Sequence, residues 1–374
     1  MRFHDPHKKN GTITIRVMCA VVFMLFCFLW LYAFQADVIA YGQHVLSKGQ
    51  TSYDRTVGAV IITVVLQLLQ MLVYAFVRLS RRTHALTYLP SMLALALLSN
   101  LPLPTPVGGG LPADAPLTTY HLLLATPVVL LLWGGAVWLA RHIMPFANDN
   151  KEPTGLFSKR SWTNLLILAA MMLGVAAVAN TNAVFHFRAH AEKALQNGLP
   201  DEALRVGRRS HEADESLTML RIHALALKGQ LGERLFEYPV VARSTDMLPL
   251  KGSRSRLLMT PRDSLLKHLG GRPLYAMDVN TYLRALERDS LATALVPDYR
   301  LCAMLIDRDL TAFAQALPQY YPDSTLLPRY YREALQLYQQ RDSLPTPPDT
   351  PAAKLRAYEQ QSDSYSYYYF YGAR

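Results

Sequence analysis

The chain holds only three cysteines in 374 residues. Cys19 and Cys27 lie in the first apolar run and Cys302 stands alone in the second half. No disulfide framework can therefore staple the polar half, and no Cys spacing suits a metal. Charge is missing from five apolar stretches, 17–34, 56–77, 85–103, 117–140 and 162–185, which contain no Asp, Glu, Lys or Arg. Ion-coupled transporters and proton pumps keep ionisable groups in the membrane because function requires them there. Their absence argues against a pump, and His121 sits only at the outer end of the fourth stretch.

Catalytic signatures are also scarce. The sequence has no Gly-x-Ser-x-Gly elbow. "SHEADES" (210–216) offers one His where a zinc-protease helix needs two, four residues apart. It reads as a solvated junction between helices. Asp307 and Asp309 flank Arg308, which suits a turn or helix start. "TPVGGGLPADAP" (105–116) joins two apolar stretches and has no basic residue, so it reads as a flexible connector rather than a phosphate cradle. No cofactor and no metal are expected.

What the chain has is membrane-type sequence. The five stretches run from 18 to 24 residues. At about 1.5 Å per residue each approaches the ~30 Å of a hydrocarbon core, the third least comfortably because Pro90 and Pro102 interrupt it. The first stretch is read as a retained span, since it is longer than a signal core and more spans follow. Eleven basic residues flank one set of loops (Arg2, Lys8, Lys9, Arg16, Arg78, Arg81, Arg82, Arg141, Lys151, Lys159, Arg160), against Lys48 and Arg55 on the other. This positive-inside bias predicts a cytoplasmic N-terminus. Five spans then place the C-terminal half outside, in the periplasm of a double-membraned bacterium. The formal charge of +10 and pI near 9.4 are explained by those loops, so nucleic acid is not an expected partner. The lipid bilayer is. Gln67 and Gln70 share a face of the second span and are expected to bond a neighbouring helix. Ala170, Gly174 and Ala177 in the fifth span allow close packing, within the bundle or in a dimer.

Residues 186–340 alternate helical patterns with short turns and show almost no strand-type alternation. Leu217, Leu220, Ala224 and Leu227 recur at helical spacing and define one apolar face. Gly198-x-x-x-Glu202-x-Leu204 is echoed by Gly229-x-x-x-Glu233-x-Leu235, 31 residues later. Tetratricopeptide repeats have a period of about 34 and end the first helix in Gly. The fold class expected is thus all-α: a five-span transmembrane bundle (1–185), then a soluble tetratricopeptide-like repeat domain (186–340). A Pro-rich linker, a short helix and a Tyr-rich tail complete the chain (341–374).

"KGQLGERLFEYP" (228–239) and "YRLCAMLIDRDLTAFAQALPQYYPDS" (299–324), with the Tyr-rich ending, resemble a family of uncharacterised multi-pass membrane proteins from Bacteroidetes-type bacteria. That resemblance implies a membrane N-terminus and a tetratricopeptide-like C-terminal region. It implies no catalytic residues. Family members carry more helices between the two segments, so this chain looks shortened.

The tail packs five tyrosines and one phenylalanine into seven residues: Tyr365, Tyr367, Tyr368, Tyr369, Phe370 and Tyr371. Six exposed aromatics would make an unusual surface. The tail is expected to fold onto its own helices, to dock on a partner, or to lie at the membrane interface, and a one-faced strand is disfavoured. Together these features suggest an inner-membrane scaffold whose outer helical domain holds a protein or peptide. The alternative is a membrane enzyme or transporter acting on lipid or glycan at the bundle's outer mouth.

Overall fold

A computed structural model describes residues 6–80, 83–100, 118–143, 158–323, 326–341 and 350–372. The described residues are helical, with no strand among them. The chain forms two compact units, Met1–Thr181 and Asn182–Arg374.

In the first unit the helices are α1 (Pro6–Leu29), α2 (Ala36–Leu46), α3 (Arg55–Val77), α4 (Leu89–Leu98), α5 (Thr118–Ile143) and α6 (Lys159–Val178). Among the described residues four segments are long and apolar enough to cross a membrane: Ile15–Phe34, Arg55–Val77, His121–His142 and Lys159–Val178. The third apolar stretch departs from the expected long span. It forms a 3-10 turn, His84–Tyr88, that continues directly into α4. This segment, His84–Leu98, covers about 25 Å, short of a full hydrocarbon core. Pro90 is accommodated because it falls in the first turn of α4, where no intrahelical N–H partner is lost. Residues 101–103 of that stretch and the Gly-rich connector lie outside the described residues.

Hydrogen bonds fix the direction of each helix. Gln70 Nε2 donates to Thr87 Oγ1 at 2.9 Å and Ser91 Oγ to the Leu66 carbonyl at 2.9 Å, so α3 and α4 run antiparallel. The Asn164 Oδ1 accepts from the Ala85 N–H at 2.8 Å, and the Asn180 N–H donates to the Ser99 carbonyl at 3.1 Å. The short segment and α6 therefore run parallel. Trp30 Nε1 bonds Ser99 Oγ at 2.9 Å, which aligns α1 with both. Arg141 Nη2 reaches the Phe76 carbonyl, which brings the C-terminal end of α5 to that of α3. Gln67 Nε2 passes its hydrogen bond to Gln70 Oε1 at 3.0 Å, completing the polar chain across α3 and the His84–Leu98 segment. Such internal pairing is what a polar group in lipid requires. The small-residue face does not pack inside the bundle: Ala170, Gly174 and Ala177 are exposed, and nothing lies within 4 Å of a Cβ built on Gly174.

The second unit contains α7 (Ala183–Gln196), α8 (Pro200–Arg205), α9 (Glu215–Leu227), α10 (Leu231–Arg234), α11 (Arg262–Lys267), α12 (Val279–Arg288), α13 (Val296–Ile306), α14 (Leu310–Tyr320), α15 (Arg329–Gln340), α16 (Pro351–Gln361) and α17 (Tyr365–Tyr371). The 31-residue echo has a physical cause. Gly198 and Gly229 both adopt positive φ (70° and 62°) at helix C-termini. The next amide closes each turn, Leu199 N–H to Ala194 O and Gln230 N–H to Leu225 O, both at 2.9 Å. This is the Schellman pattern that glycine favours. Each turn feeds a short helix of six or four residues, which ends in extended backbone at Val206 or in a 3-10 turn at Leu235–Glu237. Full-length repeat helices do not form there.

α9 is the centre of the unit. Every residue from Ser216 to Ala226 is buried, so it is enclosed all round rather than on one face. Leu227, expected on the apolar face, is exposed. A second departure is the stretch 238–261, which holds no helix beyond one 3-10 turn at Ser244–Asp246. It runs through the core with Met247, Leu248, Leu257, Leu258 and Met259 buried. Backbone without a ladder still needs partners when buried. Three carboxylates supply them. Glu192 accepts from the N–H groups of Leu258 (2.8 Å), Met259 (2.6 Å) and Thr260. Asp246 accepts from the Arg254 N–H at 2.7 Å, and Asp307 from the Ser244 N–H at 3.0 Å.

Candidate functional site

The Tyr-rich tail forms the helix α17, which seven residues cannot sustain alone in water. Ser364 caps it by accepting the Tyr367 N–H at 3.1 Å. Its other supports come from distant residues. Tyr365 N–H donates to Glu333 Oε2 at 2.7 Å, and Arg308 Nη2 donates to the Gly372 carbonyl at 2.8 Å. The hydroxyls of Tyr365 and Tyr368 donate to the carbonyls of Leu305 and Ile306, at 3.1 and 2.9 Å. Both carbonyls lie at the C-terminal end of α13; that of Leu305 also accepts the Arg308 N–H at 3.1 Å, and the Tyr368 hydroxyl supplies the donor to that of Ile306. Burial pushes both phenols up, Tyr368 to about 12, which keeps them protonated as donors. Beneath them Phe236 meets the rings of Tyr330, Tyr365 and Tyr368 at 5.0, 5.0 and 4.7 Å.

The six tail aromatics thus divide. Tyr365 and Tyr368 are buried, and Tyr369 and Phe370 are half-buried against the same core. Tyr367 and Tyr371 are half-buried and, with the edge of Tyr368, line a cleft of about 280 Å³. Its facing wall is the segment Glu237–Val241, held in extended backbone from Tyr238 onward by Pro239 and by the Val241 N–H bond to Thr218 Oγ1 at 3.3 Å. α16 closes one end. Tyr358 meets Tyr367 edge to face (5.9 Å) and bonds the exposed His211, 3.0 Å from Nε2.

The cleft shares Arg208 and Ser210 with a shallow depression lined also by Phe187, Arg205, Gly207 and Arg209. That lining contains three arginines and no carboxylate. Gly207 has φ +60°, and a Cβ there would lie 2.7 Å from the Phe187 ring, so only glycine fits. Arg221 of α9 holds the turn from beneath, with Nη2 3.2 Å from the Gly207 carbonyl and 3.5 Å from that of Val206. Its guanidinium is 2% exposed and stands 5.2 Å from the Tyr238 ring. Desolvation draws its pKa down to about 10, still fully cationic at neutral pH. Its Nε and Nη1 have no hydrogen-bond partner among the described residues.

Sequence reasoning found the tail but missed Arg208, Arg209, His211, Tyr358 and the Glu237–Val241 wall. "RVGRRS" (205–210) carried a signal, three arginines around a glycine next to a short helix. In "SHEADES", Asp214 caps α9 through the Leu217 N–H at 2.7 Å and pairs with Arg188 at 3.1 Å. Asp309 likewise caps α14 through the Ala312 N–H at 2.9 Å. His223 and His268 approach at 5.2 Å, with His223 Nδ1 3.2 Å from the Tyr299 hydroxyl. No group of three or more metal-ligating side chains occurs among the described residues.

Comparison with known proteins returned no matching family model, no matching curated protein and no matching solved structure.

Proposed function

We propose that the protein is an inner-membrane-anchored scaffold whose C-terminal helical domain lies in the periplasm and holds a protein or peptide partner. The observation that carries this reading is the cleft between the α16–α17 hairpin and the Glu237–Val241 segment. It has an aromatic wall, an extended-backbone wall and a cationic rim. Aromatic side chains beside arginine are the groups most enriched where proteins bind proteins. The repeated helix–glycine–short-helix unit supports a tetratricopeptide-like ancestry for the domain.

The proposed topology draws support from the bundle. α1, the His84–Leu98 segment and α6 run one way, and α3 and α5 the other. Alternating traverses, including a short third one buried among the longer helices, are odd in number. An odd number carries the chain from the basic, cytoplasmic side to the opposite one.

The test is site-specific photocrosslinking in cells. A photoreactive phenylalanine analogue at Val241 or Tyr371 should give discrete protein adducts, and the same residue at exposed Arg284 should not. Adducts only with lipid or glycan, or an identical pattern from position 284, would sink the reading.

A further inference from the structure

The arginine turn is built for an anion. Arg205 ends α8, Arg208 and Arg209 follow in the turn after it, and a fourth guanidinium, Arg221, lies buried beneath that turn. Like charges at such spacing repel, the more so when one is withdrawn from water. Asp214 acts through space on Arg221 and Asp201 on Arg205, which offsets part of this. Among the described residues the ion-pair partner of Arg208 is Glu237, at 3.8 Å, and it is already engaged by Arg234 through bonds of 3.0–3.2 Å. Asp363, which also lines the cleft, is held by Arg329 at 3.0 Å. Arg205 and Arg209 have no ion pair among the described residues, and both are exposed.

The backbone that carries these cations is also fixed before any ligand arrives. The Gly207 conformation, the Phe187 ring against it and the Arg221 bonds to two carbonyls fix the backbone of the turn. A preorganised cluster spends little freedom on binding. The depression opens onto the cleft through the shared Arg208–Ser210 rim, so an anionic group seated there continues into contact with Tyr358, Tyr371 and Val241.

We infer that the cleft takes an acidic, extended peptide segment: carboxylates on Arg208 and Arg209, and interleaved apolar side chains on the tyrosine wall. This rests on the reading of the cleft as a peptide site and adds the charge class of its occupant. Arg221 acts as a positioning residue for the turn.

The experiment uses the full chain in phosphatidylcholine nanodiscs and fluorescence anisotropy. The probes are a fluorescein-labelled octapeptide of alternating glutamate and leucine and its lysine–leucine counterpart. The wild type should bind the acidic peptide, more weakly as salt rises, and bind the basic peptide at least tenfold less. The double variant Arg208→Gln/Arg209→Gln should lose tenfold or more for the acidic peptide with an unchanged melting temperature, because both side chains are exposed. Equal binding of the two peptides, or an unaffected double variant, overturns the anionic preference while the cleft stands as a peptide site. No binding of either peptide overturns both readings. Arginine-dependent binding to phosphatidylglycerol vesicles without peptide binding replaces the peptide with a lipid headgroup and also overturns the inference.

Discussion

The hydroxyl of Tyr365 donates to the carbonyl of Leu305, sixty residues earlier, and so completes the C-terminus of a helix it does not belong to. Tyr368 does the same at the next carbonyl, that of Ile306. The tail is thereby a structural part of the second unit as well as a wall of its cleft.

Replacing Tyr365 with Phe removes one buried hydrogen bond, while the Leu305 carbonyl keeps the Arg308 N–H at 3.1 Å. The expected loss is about 0.5–1.5 kcal/mol. In a unit of this size that lowers the melting temperature by roughly 1–6 °C. Deleting 362–374 should cost more, because Phe236 and Tyr330 lose their covering rings. Calorimetry of the full chain in nanodiscs checks both, and an unchanged transition on deletion would contradict the packing described for α17.

Glu192 is the single side chain that holds Leu258, Met259 and Thr260 by their amides. Glu192→Ala leaves three N–H groups without their acceptor, two of them buried and that of Thr260 half-buried, and a loss of about 3–5 kcal/mol is expected. Hydrogen exchange should show the amides of 258–260 opening before those of α9. Protection in that loop equal to wild type would refute the clamp.

His223 is held neutral, its pKa drawn down to about 3, first by burial and then by the neighbouring His268. Unfolded, it titrates near 6.5. The folded state thus binds fewer protons than the unfolded state between those values. Its contribution is intact above pH 6.5 and fades as pH falls, by up to about 1.4 kcal/mol per unit. Denaturant unfolding at pH 7, 6, 5 and 4 should give a flatter stability profile for His223→Gln than for wild type. Equal slopes would show that another group sets the acid sensitivity.

Cys19, Cys27 and Cys302 are all buried, which leaves an introduced thiol as the accessible one among the described cysteines. In right-side-out membrane vesicles an impermeant maleimide should label Gln50→Cys and Ser362→Cys, and leave Lys159→Cys untouched until the membrane is opened. Protection of position 362 would mean that the His84–Leu98 segment does not complete a crossing.

Local signals made the helices legible, and long-range partners hid the rest. Uncharged apolar runs marked the four long spans, and the paired glycines Gly198 and Gly229 marked two helix ends. Pro90 and Pro102 set 85–103 apart from the other stretches, but the turn at His84–Tyr88 that shortens it is fixed by Asn164 and Gln70 from other helices. Arg221 and His223 made α9 look two-faced, yet both are buried, against Gly207 and Tyr299. The 238–261 stretch has no periodicity of its own and depends on Glu192 and Asp307, more than sixty residues away from their amide donors. The candidate site follows the same rule. Tyr367 and Tyr371 were visible as composition, whereas Arg208 joins them only through the fold.

Because Arg221 and Phe187 secure the backbone at Gly207 while Arg205, Arg208 and Arg209 point outward, the turn works as a fixed mount carrying interchangeable heads. The charge of that surface can be changed by exchanging three exposed side chains, without disturbing the interior that keeps the domain folded.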